Sequence, residues 1–160
     1  MPKPFDLDEL EAPGDHLARA EGGGACGIAG DGAMSDGSIV KLSELINGKV
    51  DTVCVLRPYQ DKISENHPEN VVINRYLKDI KYRANESYWS LVTLTSFSVT
   101  HYTFKRSKVL DIFTLHSQNS LAAVAIPANF EMAECVSFEQ AALFKTVIFD
   151  RAYMIFGSVK

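Results

Sequence analysis

The sequence predicts an α+β domain: an antiparallel sheet of about five to six strands with two main helices packed on one face, preceded by a disordered leader. Three observations carry this expectation. Residues 38–46 and 67–80 repeat apolar side chains at helical spacing. Residues 49–56, 87–107, 109–115 and 143–157 are runs of β-branched and aromatic residues. These runs follow one another through short turns, the order of an antiparallel sheet and not of alternating βαβ units.

The chain of 160 residues has the length of one domain with a tail. Residues 1–37 form an acidic, glycine-rich leader or tether, and residues 38–160 a single globular domain. The leader holds eight of the ten glycines, and eight acidic groups against Lys3 and Arg19. Few apolar residues and high charge cannot offset the entropy of ordering, so the leader is expected to be flexible. The body carries twelve acidic and fourteen basic groups, close to neutral, which argues against wholesale nucleic-acid binding. No window is long and apolar enough for a membrane span, so the chain is expected to be soluble.

Each element has a local reason. In 38–48, Ile39, Leu42, Leu45 and Ile46 fall on one helical face, and Asn47-Gly48 reads as a stop. Residues 49–56 read as a strand that Pro58 ends, because proline cannot donate to a ladder. In 67–80, Pro68 suits the first helical position, and Val72, Ile73, Tyr76, Leu77 and Ile80 form a stripe. Residues 87–107 read as a hairpin around 96–98, and 109–115 as a short strand. Residues 120–127 fit either a buried strand or a short helix. Ser137 to Gln140 match a capping box, and 143–157 close as a hairpin around Asp150-Arg151.

Cysteine chemistry is constrained by count and placement. The chain has three cysteines, Cys26 in the leader and Cys54 and Cys135 in the body, with no C-x-x-C pair and no histidine at metal-ligand spacing. No metal or other cofactor is expected. Cys54 and Cys135 are either buried free thiols or a disulfide; a catalytic thiolate at Cys54 is a third reading. Free thiols imply a cytoplasmic protein, and a Cys54–Cys135 bridge a periplasmic or extracellular one. Gly23-Gly24-Ala25-Cys26 ahead of a glycine-rich spacer resembles the start of a mature bacterial lipoprotein. The resemblance extends over four residues, lacks the apolar segment before the cysteine, and implies a lipid anchor at Cys26.

Gly22-x-Gly24-x-x-Gly27 matches the dinucleotide fingerprint in letters only, since it neither follows a strand nor opens a helix. No phosphate loop, nucleophile elbow or zinc-protease motif occurs. His67 is expected to help cap a helix. His101, mid-strand, is expected to be structural, with a general base beside Asp111 or Glu86 as the alternative. Lys78, Lys81, Arg83, Lys105, Arg106 and Lys108, interleaved with Tyr82, Tyr88, Trp89 and Tyr102, form a basic cluster if helix end and hairpin end meet.

With no catalytic constellation evident, the expected function is a small protein-binding domain, of the inhibitor or immunity type that neutralises a partner enzyme. Its expected contact residues are Arg57, Tyr59 and Gln60 after the first strand, then Arg83, Trp89 and Arg106. Two other readings stand beside it: a small hydrolase or transferase using Cys54 or His101, and RNA or single-stranded DNA binding through the Lys78–Lys108 cluster.

Overall fold

A computed structural model of the chain describes residues 36–64, 66–96, 98–113 and 125–160. Its elements are β1 (Ile39–Lys41), a 3-10 turn (Leu42–Glu44), β2 (Thr52–Leu56), α1 (Asn70–Asp79), β3 (Tyr88–Leu94) and β4 (Val99–Lys105). They continue with β5 (Asp111–Ile112), β6 (Phe130–Met132), β7 (Cys135–Ser137), β8 (Ala141–Ile148) and β9 (Arg151–Val159). One sheet has the order β4-β3-β2-β7; the other has β1-β8-β9-β5, with β6 also paired to β9. The pairings are antiparallel except β5 on β9.

This overturns the α+β expectation of two helices on one sheet face. The architecture is mostly β, with sheets of four and five strands and, among the described residues, one α-helix. The first predicted helix is instead β1 and the 3-10 turn. Ile39 and Val40 pair with Phe144 and Leu143 on β8, and Val40, Leu42 and Ile46 enter one core cluster. A helix of nine residues opening on two β-branched side chains is marginal alone. The edge of β8 offers those residues a ladder, and tertiary pairing wins.

The two sheets share a core. Val53, Val55, Trp89 and Leu91 of the four-stranded sheet meet Leu143, Met154 and Phe156 of the other. On the opposite face of the four-stranded sheet, Cys54, Leu56 and Val92 pack under Ile63 and under Ile73 and Leu77 of α1. β2 is thus buried on both faces, which is why Val53-Cys54-Val55-Leu56 reads as an unbroken apolar run and not as alternation.

The helix expected at 67–80 is present as α1, but Val72 and Ile80 of its predicted stripe are exposed. It ends in a Schellman motif: Tyr82 N–H donates to Leu77 O (2.8 Å) and Lys81 N–H to Lys78 O (3.1 Å), with Lys81 left-handed at φ 56°. The 87–107 hairpin is present as β3–β4, in register from Tyr88↔Lys105 to Leu94↔Val99. The closing hairpin is present as β8–β9, with its two-residue turn at Phe149-Asp150, one residue earlier than expected. Of 109–113, the described part of the 109–115 run, Asp111–Ile112 is strand, and 138–140 form a turn after β7. Most of 120–127 and all of 1–35 lie outside the described residues.

Candidate functional site

The chain leaves β2 through Arg57-Pro58-Tyr59-Gln60. Gln60 N–H donates to Arg57 O (3.0 Å), and Tyr59 sits at φ 67°. Proline second and a left-handed residue third are the signature of a type II turn, whose third position normally takes glycine. Here it holds a tyrosine, 69% exposed. Its hydroxyl donates to Glu86 Oε2 (2.8 Å), a bond that raises the phenol above its ordinary range.

Glu134, the residue before β7, ties the segment after this turn to the sheet. Its Oε1 accepts from Ser64 N–H (3.0 Å) and lies 3.1 Å from His67 Nε2; its Oε2 accepts from the Gln60 side-chain amide. Gln60 Oε1 in turn accepts from Arg57 N–H (3.1 Å), and Asn74 on α1 brackets Ile63 through both its N–H (2.7 Å) and its carbonyl (3.0 Å). Arg57 is half-buried, with Nε donating to Phe113 O (3.3 Å). Burial lowers its pKa, and the nearby Glu134 carboxylate opposes that shift.

Beside Glu134, Cys54 and Cys135 oppose each other in the β2–β7 register and form a disulfide. Val55 N–H donates to Glu134 O (2.8 Å), so the cysteines occupy the adjacent non-hydrogen-bonded pair, where side chains lie closest. The bridge decides between the two main cysteine readings. It also leaves Cys54, which is fully buried, without a thiolate for the nucleophile role. A ring nitrogen of His67, a carboxylate oxygen of Glu134 and Cys135 Sγ lie within 4.8 Å of one another.

A second line of contacts runs from Tyr59 across the sheet ends. Arg106 Nη1 donates to Glu86 O (2.9 Å), and its Nε and Nη2 grip Asp111 Oδ1 (2.7 Å) and Oδ2 (3.2 Å). Arg151 Nε donates to the same Asp111 Oδ2 (2.6 Å), and Ile112 N–H donates to Oδ1 (2.8 Å). The bonds to Asp111 raise the Arg106 pKa further. Asp111 is fully buried, so this triad is a fixed joint between the two sheets. Arg151 opens β9 directly after the Phe149-Asp150 turn, where both residues are left-handed, φ 49° and 63°. That is the type I′ geometry, which Asn-Gly fills with least strain. Phe149, 96% exposed, fills the first position.

The expected contact residues therefore separate. Tyr59 is at the surface. Arg57, Gln60 and Arg106 are half-buried and held by the bonds above. Arg83 is exposed and lies elsewhere, with Lys62, Lys78, Lys81 and Tyr82 around a groove of about 470 Å3 beside α1. Trp89 is fully buried against Phe104, ring centroids 4.7 Å apart, and as a core residue is not a surface anchor. The groove gathers the helix half of the basic cluster without Lys105, Arg106 or Lys108.

His101 is held under α1, not beside an acid. Its Nδ1 is 2.8 Å from Tyr76 Oη, and the rings of Tyr76 and Tyr82 meet it edge-on at 5.8 and 5.9 Å. Its alternative partners are engaged elsewhere, Asp111 by two arginines and Glu86 by Tyr59. His67 does not cap α1 with its ring, which faces Glu134. Nothing in the sequence marks Phe149, Glu134 or Arg151 as site residues, and Asp111 enters there only as a possible acid beside His101. Phe149 lies inside an apolar run with no glycine to mark the turn, and Glu134 and Asp111 acquire partners only through contacts distant in sequence.

Compared with known protein families, curated proteins and solved structures, the chain matches none. The reading of its function rests on the geometry above.

Proposed function

We propose that the protein is a binding module for another protein, engaging it through the turn tips that carry Tyr59 and Phe149. The observation that carries this reading is Phe149, almost wholly exposed in a left-handed conformation that bulky side chains avoid. Tyr59 repeats the arrangement at the end of β2. A non-glycine residue in this region costs about 1–3 kcal/mol, and such strain collects where a side chain must be displayed. Neither aromatic returns the cost through core packing. The contacts Tyr59–Glu86–Arg106–Asp111–Arg151 tie the two tips into one rigid end of the molecule. Exposed aromatics on a rigid support are the usual anchors of an interface. A partner surface with a cleft for an aromatic side chain fits this end, and an enzyme whose active-site cleft is filled by Phe149 is the inhibitor form of the same reading.

The test compares the intact chain with Phe149→Asn and with Tyr59→Gly as bait in lysate of the source organism. Both variants relieve strain, so their unfolding free energies are expected to stay level or rise by about 1 kcal/mol. The intact chain is expected to retain one partner in equimolar amount, and each variant to lose it at least tenfold. Equal retention by intact chain and variants, or no equimolar partner, overturns the reading.

A further inference from the structure

We propose that Cys54, Cys135, His67 and Glu134 form a zinc site gated by reduction of the disulfide. Zinc in a structural site takes four ligands tetrahedrally from thiolate, imidazole and carboxylate. His67, Glu134 and Cys135 already bring one donor atom each within 4.8 Å of one another; Cys54 Sγ, bonded to Cys135, stands outside that group and would join it by side-chain rotation once the bond opens. Ligand atoms about 2.0–2.3 Å from one tetrahedral ion stand roughly 3.3–3.8 Å apart. His67 Nε2 and Glu134 Oε1, at 3.1 Å, need to part only slightly for an ion to take the place of the proton between them. Two thiolates on directly opposed residues reach the larger spacing by side-chain rotation, with the β2–β7 ladder kept.

The surroundings suit a metal. Gln60 and Ser64 N–H hold the Glu134 carboxylate in place, the outer hydrogen bonds that orient a metal ligand. Two thiolates and a carboxylate exceed the charge of one zinc ion by one, and the Arg57 guanidinium, which feels Glu134, offsets it. Cys54 closes the site from the core, while His67 and Glu134 remain partly open to solvent as an entry path.

The chemistry balances with a dithiol as reductant. The dithiol gives two electrons and two protons to the Cys54–Cys135 bond and closes to its own disulfide. Zinc then displaces the two thiol protons to solvent and binds neutral His67 and ionised Glu134. In the reverse exchange a disulfide takes two electrons from the zinc-bound thiolates and two protons from solvent to become a dithiol, the Cys54–Cys135 bond re-forms and the ion is released, so bridge and metal are alternative cross-links at one place.

The experiment uses the full chain with Cys26→Ser, to exclude the leader thiol, and cobalt(II) as the optical probe. Phosphine-reduced protein is expected to bind one cobalt with thiolate charge-transfer and tetrahedral d–d bands, which zinc abolishes by displacement. Oxidised protein is expected to give neither band. His67→Ala and Glu134→Gln, which keep the disulfide and so fold when oxidised, are expected to weaken binding by the reduced form at least tenfold. A reduced chain that unfolds without metal and refolds on adding zinc also supports the site. The proposal falls if the reduced chain is folded but takes up no cobalt, stays unfolded with zinc, or binds as well with His67→Ala.

Discussion

Cys54 and Cys135 face each other across the β2–β7 ladder with Cα atoms 4.0 Å apart and their sulfurs joined. The bond links residues 81 apart in sequence, and β7 makes only a three-residue ladder with β2. The bridge thus secures a short edge strand that has few contacts of its own.

Removing it releases the denatured chain from a long closed loop. The loop-closure argument gives about 4.5 kcal/mol for this separation, and measured losses centre on about 2–4 kcal/mol. The Cys54→Ala/Cys135→Ala double variant, unfolded in urea with a chelator present, is expected to lose stability in that lower range. A loss under about 1 kcal/mol would show that the bridge does not hold β7 in place.

Asp111 is the common acceptor of Arg106 and Arg151, and Asp111→Ala leaves both guanidiniums facing a void. Breaking a buried pair by removing one partner costs about 3–5 kcal/mol, and the part-exposed arginines put the expectation near the lower end. Denaturant unfolding measures it. Replacing both arginines by Met in the same background should recover part of the loss; further loss would show that the joint is held by packing and not by charge.

Burial under α1 lowers the His101 pKa below its ordinary 6.5, so the unfolded chain binds a proton more readily than the folded one. The stability this contributes is present above about pH 6.5 and is lost as pH falls from there through the folded value. The unfolding midpoint should therefore drop as pH falls below about 6.5, and His101→Phe should flatten that slope. An unchanged slope in the variant would assign the drop to other groups.

Gly157 lies where β6 approaches β9: a Cβ there would stand 2.0 Å from Glu131 O and 2.9 Å from Phe130 Cζ. The closest atom is backbone, which cannot swing away, so Gly157→Ala is expected to lower stability by about 1–3 kcal/mol or more. Thermal unfolding checks this. A neutral outcome would mean that β6 does not sit this close in solution.

Much of the local structure was legible in the sequence because its causes are local. The β2 run, the helix before residue 80 and both long hairpins follow from β-branching, apolar spacing and the position of Pro58. The segment 38–46 was misread because its spacing serves a helix and a strand with a turn equally well, and only the free edge of β8 decides between them. The type I′ turn at Phe149 was displaced by one residue because no glycine marks it.

The sequence by itself determined the β2 strand, the two long hairpins, the placement of one helix, the list of cysteines and the exposure of Tyr59 past Pro58. Tertiary structure decided the rest. It put Trp89 in the core and Phe149 in solvent, chose between free thiols and a bridge, and set His67 and Glu134 against Cys135. The physical reason is the same in each case. A side chain's period and type are written locally, but its partner is whatever strand register brings opposite it, and register is a property of the assembled sheets.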